Sequence, residues 1–347
     1  MTTLTREALN MARKAVKAGI ERKESGPAVM AVATGDAVVA VDTFPREDGA
    51  AVDQDSIFLL ASITKPFFGT AIMQLAERGS LLISDPVARH IPEFARYGKA
   101  EVTIWHLLTH TSGLAEETST PAWEARAPAS AHVEAVCNSF LRFKPGTAWE
   151  YCNISFWALA EIITRVSGQP YVEYLREHIW EPLGMTDTAF DFADERAGRM
   201  VPVEAVEPVP GGEEALTYFR SLAIPAGGLW STASDLVRFG QAMLNGLKGR
   251  QRTIVSQAGI ETMTRLQTAG IREFATGKPA AYGLGWGKPT PDAHTLGTPA
   301  AFGHGGATAT LLWIEPDYDL VFVFLTNQWG QPNRVAHMAL NATLAAL

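Results

Sequence analysis

The chain has 347 residues, 47% of them apolar and 19% charged, with 30 glycines and 20 prolines. This is ordinary globular composition, long enough for a large core in one composite unit or two domains. The net charge of −8 at pH 7 excludes the basic footprint of a nucleic-acid binder, and no polybasic or long apolar segment points to a membrane.

At the N-terminus, charges at Arg6, Glu7, Arg13, Lys14 and Lys17 interrupt every apolar run, which is incompatible with a signal peptide. Leu9, Ala12, Val16 and Ile20 recur at helical spacing and predict an amphipathic surface helix. "PAVMAVATG" and "DAVVAVDTFP" read as two strands of a hairpin around Gly35-Asp36. "LLASITKPFFGTAIMQLAERG" reads as a helix ending near Gly79, with Ser62 on its N-terminal rim. From about 80 to 205 the signals are mostly helical, broken by Pro/Gly loops, as in "AHVEAVCNSFLRF" and "ISFWALAEIITRVSG". "PAGGLWSTASDLVRFGQAML" is a loop entering a helix, with Thr232 or Ser234 as its cap. "ATATLLWIEP" and "LVFVFLTNQ" are strands again, followed by a closing helix from about Pro332.

Strands at both ends with helices between them predict an α/β (α+β) chain. Residues 1–79 and 206–347 would form a discontinuous sheet domain, and 80–205 a mostly helical inserted domain. With no leader read at the N-terminus, Cys137 and Cys152 are expected to be reduced and buried, and the compartment cytoplasmic.

Three short stretches carry chemistry. In the first, Ser62 and Lys65 stand three residues apart and share a helix face, so the amine can reach the hydroxyl. Pro66 is tolerated only near a helix start, which places Ser62 where free N–H groups and the helix dipole favour developing negative charge. A serine hydroxyl is a weak nucleophile until a base takes its proton, and a lysine serves if burial or a neighbour lowers its pKa. The plainer alternative is a capping serine beside a surface lysine.

In the second stretch, "FKPGTAWEYCNISFW", Tyr151 and Asn153 are spaced Y-x-N just before a helix, and extended backbone would put both on one side. The phenol could relay a proton and the amide could bind a substrate amide. Equally, Asn153 could cap the helix and Tyr151 could be a half-buried aromatic. In the third, "AFGHGGATAT", glycines around His304 at the start of a β run let a ligand approach the backbone. An edge strand there could offer the Ala307 N–H as an oxyanion donor beside that of Ser62; the alternative is a glycine-rich bend with a solvated histidine.

In this order, the three resemble the serine β-lactamase and penicillin-binding-protein superfamily, above all class C β-lactamases, D-alanyl-D-alanine carboxypeptidases and related carboxylesterases. The resemblance runs from about 27 to 345, with "LLTHTSGL", "PLGMTDT" and "PAGGLWSTASDLVRF" as supporting phrases. It implies a β-lactamase-like fold whose five-stranded antiparallel sheet, flanked by helices, carries both termini. It further implies Ser62 as an acylated nucleophile, with Lys65 and Tyr151 as its proton network, the base between them left open. Asn153, His304, Gly305, Gly306 and Ala307 would bind substrate, with the Ser62 and Ala307 N–H groups as oxyanion hole. The partner would be a small ester, amide or lactam, with no nucleic acid, membrane, cofactor or metal.

The third box departs from the family's usual Lys-Thr-Gly: it reads His304-Gly305-Gly306. A histidine near its normal pKa is mostly neutral at pH 7 and would attract a substrate carboxylate weakly. That favours an esterase or D-amino-acid amidase over a β-lactamase or D-alanyl-D-alanine carboxypeptidase; an inactive ligand-binding relative is a third alternative. His106 and His110, four apart, could ligate a metal, but no Glu follows His106 as a zinc protease requires, so a structural role is expected. Glu117, Trp123, Tyr218, Phe219 and Trp286 are candidates for the acyl pocket.

Overall fold

The structure is a computed structural model that describes residues 4–206, 212–251, 254–290 and 295–347. Helix α1 (Asn10–Glu21) is followed by the hairpin β1 (Ala28–Ala33) and β2 (Val38–Phe44). Helix α2 (Lys65–Glu77) and helix α3 (Ser155–Ser167) come next, then α4 (Ala233–Leu247). Strands β3 (Phe302–Gly305), β4 (Leu311–Glu315) and β5 (Leu320–Thr326) and helix α5 (Arg334–Leu344) close the chain.

The strands form one five-stranded antiparallel sheet in the order β2-β1-β5-β4-β3. The chain ends meet at its centre, where β1 pairs with β5 from Ala28↔Thr326 to Ala33↔Val321. Both strands are buried on both faces, which is why they read as continuous apolar runs rather than as alternations.

Against one face lie α1 and α5, where Val16, Ile20, Met30, Phe322, Phe324 and Leu340 share a core. Against the other lies α4, with Val29, Ala31, Phe239 and Val323 in a main core that also takes in Phe67 of α2. Phe67 stacks on Phe239 at 4.1 Å. Each such side chain contributes roughly 1.5–3 kcal/mol by leaving water. Gly240 is needed where α4 meets the sheet, because a Cβ there would strike Val321. The cap of α4 is Thr232, whose hydroxyl accepts the Asp235 N–H at 3.2 Å.

Between residues 87 and 180 the described elements are helical, and α3 packs on α2. The core is continuous from this region to the sheet, so α2 is buried along nearly its whole length. Both cysteines are free and buried. Among the described residues no helix is long and apolar enough to cross a membrane.

Candidate active site

Ser62 sits in a single 3-10 turn, Ala61–Thr64, that runs directly into α2, with Pro66 in the helix's first turn. Ala61 enters the turn at φ +48°, a conformation a non-glycine residue adopts at a cost of about 1–2 kcal/mol. The turn is tied down by the Thr64 hydroxyl, which donates to the Ala61 carbonyl at 2.7 Å and accepts the Leu229 N–H at 3.1 Å.

Lys65 is fully buried. Its Nζ lies 2.7 Å from the Ala226 carbonyl oxygen, 2.9 Å from Asn153 Oδ1 and 3.1 Å from Ser62 Oγ. The first two partners can only accept. An uncharged amine has two N–H bonds for them, which leaves its lone pair facing the Ser62 hydroxyl. Burial lowers the pKa of this amine to about 7, partly offset by the Glu116 carboxylate. Both protonation states are therefore populated near neutrality.

The Tyr151 hydroxyl faces Ser62, and burial raises its pKa, so the phenol stays protonated. The Lys65 Nζ lies 4.7 Å from the Tyr151 ring centroid. The segment carrying Tyr151 is held on both sides by His110. The His110 carbonyl accepts the Glu150 N–H at 3.0 Å, and its Nδ1 accepts the Cys152 N–H at 3.0 Å. Its ring stacks on that of Tyr151 at 4.4 Å. Since Nδ1 accepts, the ring proton is on Nε2, and burial with Lys65 nearby holds this histidine neutral.

Asn153 does not cap α3. The helix has no side-chain cap; Glu116, from a distant segment, instead holds the turn that leads into it, its carboxylate accepting the Asn153 and Ile154 N–H groups at 2.6 and 3.2 Å. The Asn153 side chain is thereby free to turn to Lys65. His106 is committed elsewhere, its Nδ1 accepting the Thr103 N–H at 3.0 Å, and the described residues contain no metal-binding group of His, Cys, Asp and Glu.

The glycine-rich stretch leaves edge strand β3 and turns beside Ser62. Thr308 and Thr310 donate to the Leu59 and Leu60 carbonyls at 2.8 and 3.1 Å, pinning the turn to the Ser62 segment. Gly306 is required by this approach: a Cβ would collide with the Leu60 carbonyl oxygen and the Thr310 hydroxyl. Gly306→Ala is expected to cost about 1–3 kcal/mol of stability, read as a lowered urea midpoint at unchanged slope.

His304 Nδ1 lies 2.7 Å from the Gly305 carbonyl, so it carries the proton, and Nε2 accepts the Tyr282 O–H at 2.7 Å. Burial and the nearby Lys65 lower its pKa to about 3. It is a neutral residue with both nitrogens engaged, not a cation. Ser62, Tyr151 and Ala307 line two cavities, one of about 890 Å³ that also meets His304, Gly305 and Gly306, and one of about 380 Å³ that also meets Asn153.

A Beta-lactamase family model matches residues 12–347. The chain belongs to the beta-lactamase family.

Within the beta-lactamase family it is 28% identical to the D-alanyl-D-alanine-carboxypeptidase/endopeptidase AmpH of Escherichia coli K12, over 78% of this chain and 71% of that protein. It is 29% identical to Esterase EstB of Burkholderia gladioli, over 77% of this chain and 74% of that protein. A penicillin-binding-protein homologue from Caulobacter crescentus superposes with a TM-score of 0.84 at 23% identity, over 100% of this chain and 99% of the other, and so shares the fold.

The beta-lactamase-like fold thus brings all eight candidate residues to one place. Of the candidates for the acyl pocket, Trp123 and Phe219 line the smaller cavity. Trp286 does not: it is fully buried between Phe239 and Phe302. Tyr218 stands behind Trp123, and Glu117 is not on the lining. Three contributors carried no sequence signal: Glu116, the Ala226 carbonyl and Tyr282.

Proposed function

We propose that the chain is a serine hydrolase that acts on small neutral esters or amides through an acyl-enzyme at Ser62. The observation that carries this reading is the Lys65 amine, buried, titrating near neutrality, and placed 3.1 Å from Ser62 Oγ with its other bonds spent on two carbonyl-type acceptors.

In the proposed acylation, uncharged Lys65 takes the Ser62 proton as Oγ forms its bond to the substrate carbonyl carbon. The oxyanion collects the Ser62 and Ala307 N–H groups. Tyr151, kept protonated by burial, donates to Ser62 Oγ and lies on the path by which the proton reaches the departing oxygen or nitrogen as its bond to carbon breaks. In deacylation water gives a proton to Lys65, attacks the ester carbon, and Oγ leaves as the restored hydroxyl. No metal or redox partner enters the balance.

The neutrality of His304 argues for substrates without a carboxylate beside the scissile bond. The expected profile is efficient turnover of short-chain p-nitrophenyl esters with poor turnover of nitrocefin. His304→Lys should shift preference toward carboxylate-bearing substrates. Efficient nitrocefin turnover with poor ester turnover would reverse the ranking in favour of a β-lactamase or carboxypeptidase, a reading that the similarity to AmpH supports. No turnover of any substrate would favour an idle ligand-binding relative.

A further inference from the structure

The two cavities that meet at Ser62 differ in character. The larger, of about 890 Å³, is bordered along α5 by a mixed set of side chains, Pro332, Asn333, Arg334, His337, Met338 and Asn341. The smaller, of about 380 Å³, is walled by rings from separate segments, Trp123, Trp157, Phe219 and Trp329, with Ile154 and Ile224 filling between them. Trp123 and Phe219 lie near-parallel, 22° apart at 6.4 Å, and Phe219 meets Trp329 edge-on at 5.9 Å. The one carboxylate on this wall among the described residues, Glu116, is occupied by the Asn153 and Ile154 N–H groups.

These rings are held by a second tier. Trp123 packs on His132 at 4.6 Å and on Tyr218 at 5.7 Å. Tyr218 in turn donates its hydroxyl to the Ala127 carbonyl at 2.6 Å, and His132 stacks on Trp157 at 5.0 Å. The wall is therefore set before a ligand arrives, and little side-chain entropy is lost on binding.

Resting on the hydrolase reading above, we propose that the acyl group this site takes is aromatic, of the arylacetyl or aroyl type, with its ring seated among Trp123, Phe219 and Trp329. In the acyl-enzyme cycle the alcohol or amine leaves first, taking the Ser62 proton, and the acyl group stays on Oγ until water displaces it. The leaving group suits the wider cavity; the group that stays suits the smaller one, where Asn153 and the ring wall stand beside Ser62. A ring gains over an alkyl group of equal size because each face or edge contact with another ring adds to simple burial, about 2- to 10-fold per contact.

The test compares p-nitrophenyl phenylacetate with p-nitrophenyl cyclohexylacetate, which share a leaving group and carbon count. Wild-type kcat/KM should favour phenylacetate at least about fivefold. Trp123→Leu and Phe219→Leu should each reduce that ratio, whereas Trp123→Phe should keep it. A wild-type ratio of one or less, or one that survives both leucine variants, overturns the proposal. A protein that hydrolyses neither ester fails the hydrolase reading instead. The cavity is then judged by titrating phenylacetamide against cyclohexylacetamide: tighter binding of the aromatic amide supports it, and equal or weaker binding overturns it.

Discussion

Ser62→Ala is expected to lower kcat/KM for p-nitrophenyl butyrate by about 10⁴-fold or more while leaving the fold intact. The size of the loss follows from position. Ser62 Oγ lies 3.1 Å from the Lys65 amine and faces the Tyr151 phenol. Removing Oγ leaves a proton network with nothing to activate, and the remaining oxyanion donors cannot supply a nucleophile. The variant should unfold within a few degrees of wild type, because a half-buried Ser→Ala change opens no apolar cavity. Undiminished ester turnover by the variant would assign the reaction to another group.

Lys65→Met should cost about 10³-fold, within the range for losing a general base. The pH profile separates this role from simple packing. The active form is the free amine, so wild-type kcat/KM rises with pH through about 7 and levels above it. The variant keeps little rate and loses that limb.

Stability moves in a linked way. Folding lowers the Lys65 pKa from 10.5 to about 7, so between these values the unfolded chain binds more protons and stability rises with pH. Below about 7 the buried charge carries its full cost. Lys65→Met should therefore gain most in melting temperature near pH 6 and least near pH 10. Such a trade of stability for reactivity is usual in active sites.

The Ser62–Lys65 pair was legible because three residues along a helix is a fixed geometry, and Pro66 dates the helix start whatever the tertiary context. Tyr151 and Asn153 were legible as a pair by the same local logic, but not what positions them. Asn153 read equally as a cap, and what frees it is Glu116, which reaches the start of α3 from a distant segment. His304 was expected to be neutral from the ordinary histidine pKa. The structure supplies a stronger cause in burial and the nearby Lys65, and the Tyr282 hydroxyl occupies Nε2 from 22 residues away.

The hairpin β1–β2 was visible from its turn residues, whereas the β1–β5 pairing that closes the sheet joins opposite ends of the chain and was visible only as a pattern of strands. Trp123 and Trp286 look alike in sequence. One lines a cavity and the other is packed between two phenylalanine rings, because burial is decided by elements that neither residue's neighbours specify.

The rate at which a fluorophosphonate acylates the protein, followed across pH by intact mass and peptide mapping, bears most directly on proton transfer from Ser62 to Lys65. A single adduct on Ser62 whose formation accelerates through about pH 7, and which nearly vanishes in Lys65→Met, is the predicted result. An adduct on another residue, or a Ser62 labelling rate equal in wild type and Lys65→Met at every pH, would contradict it.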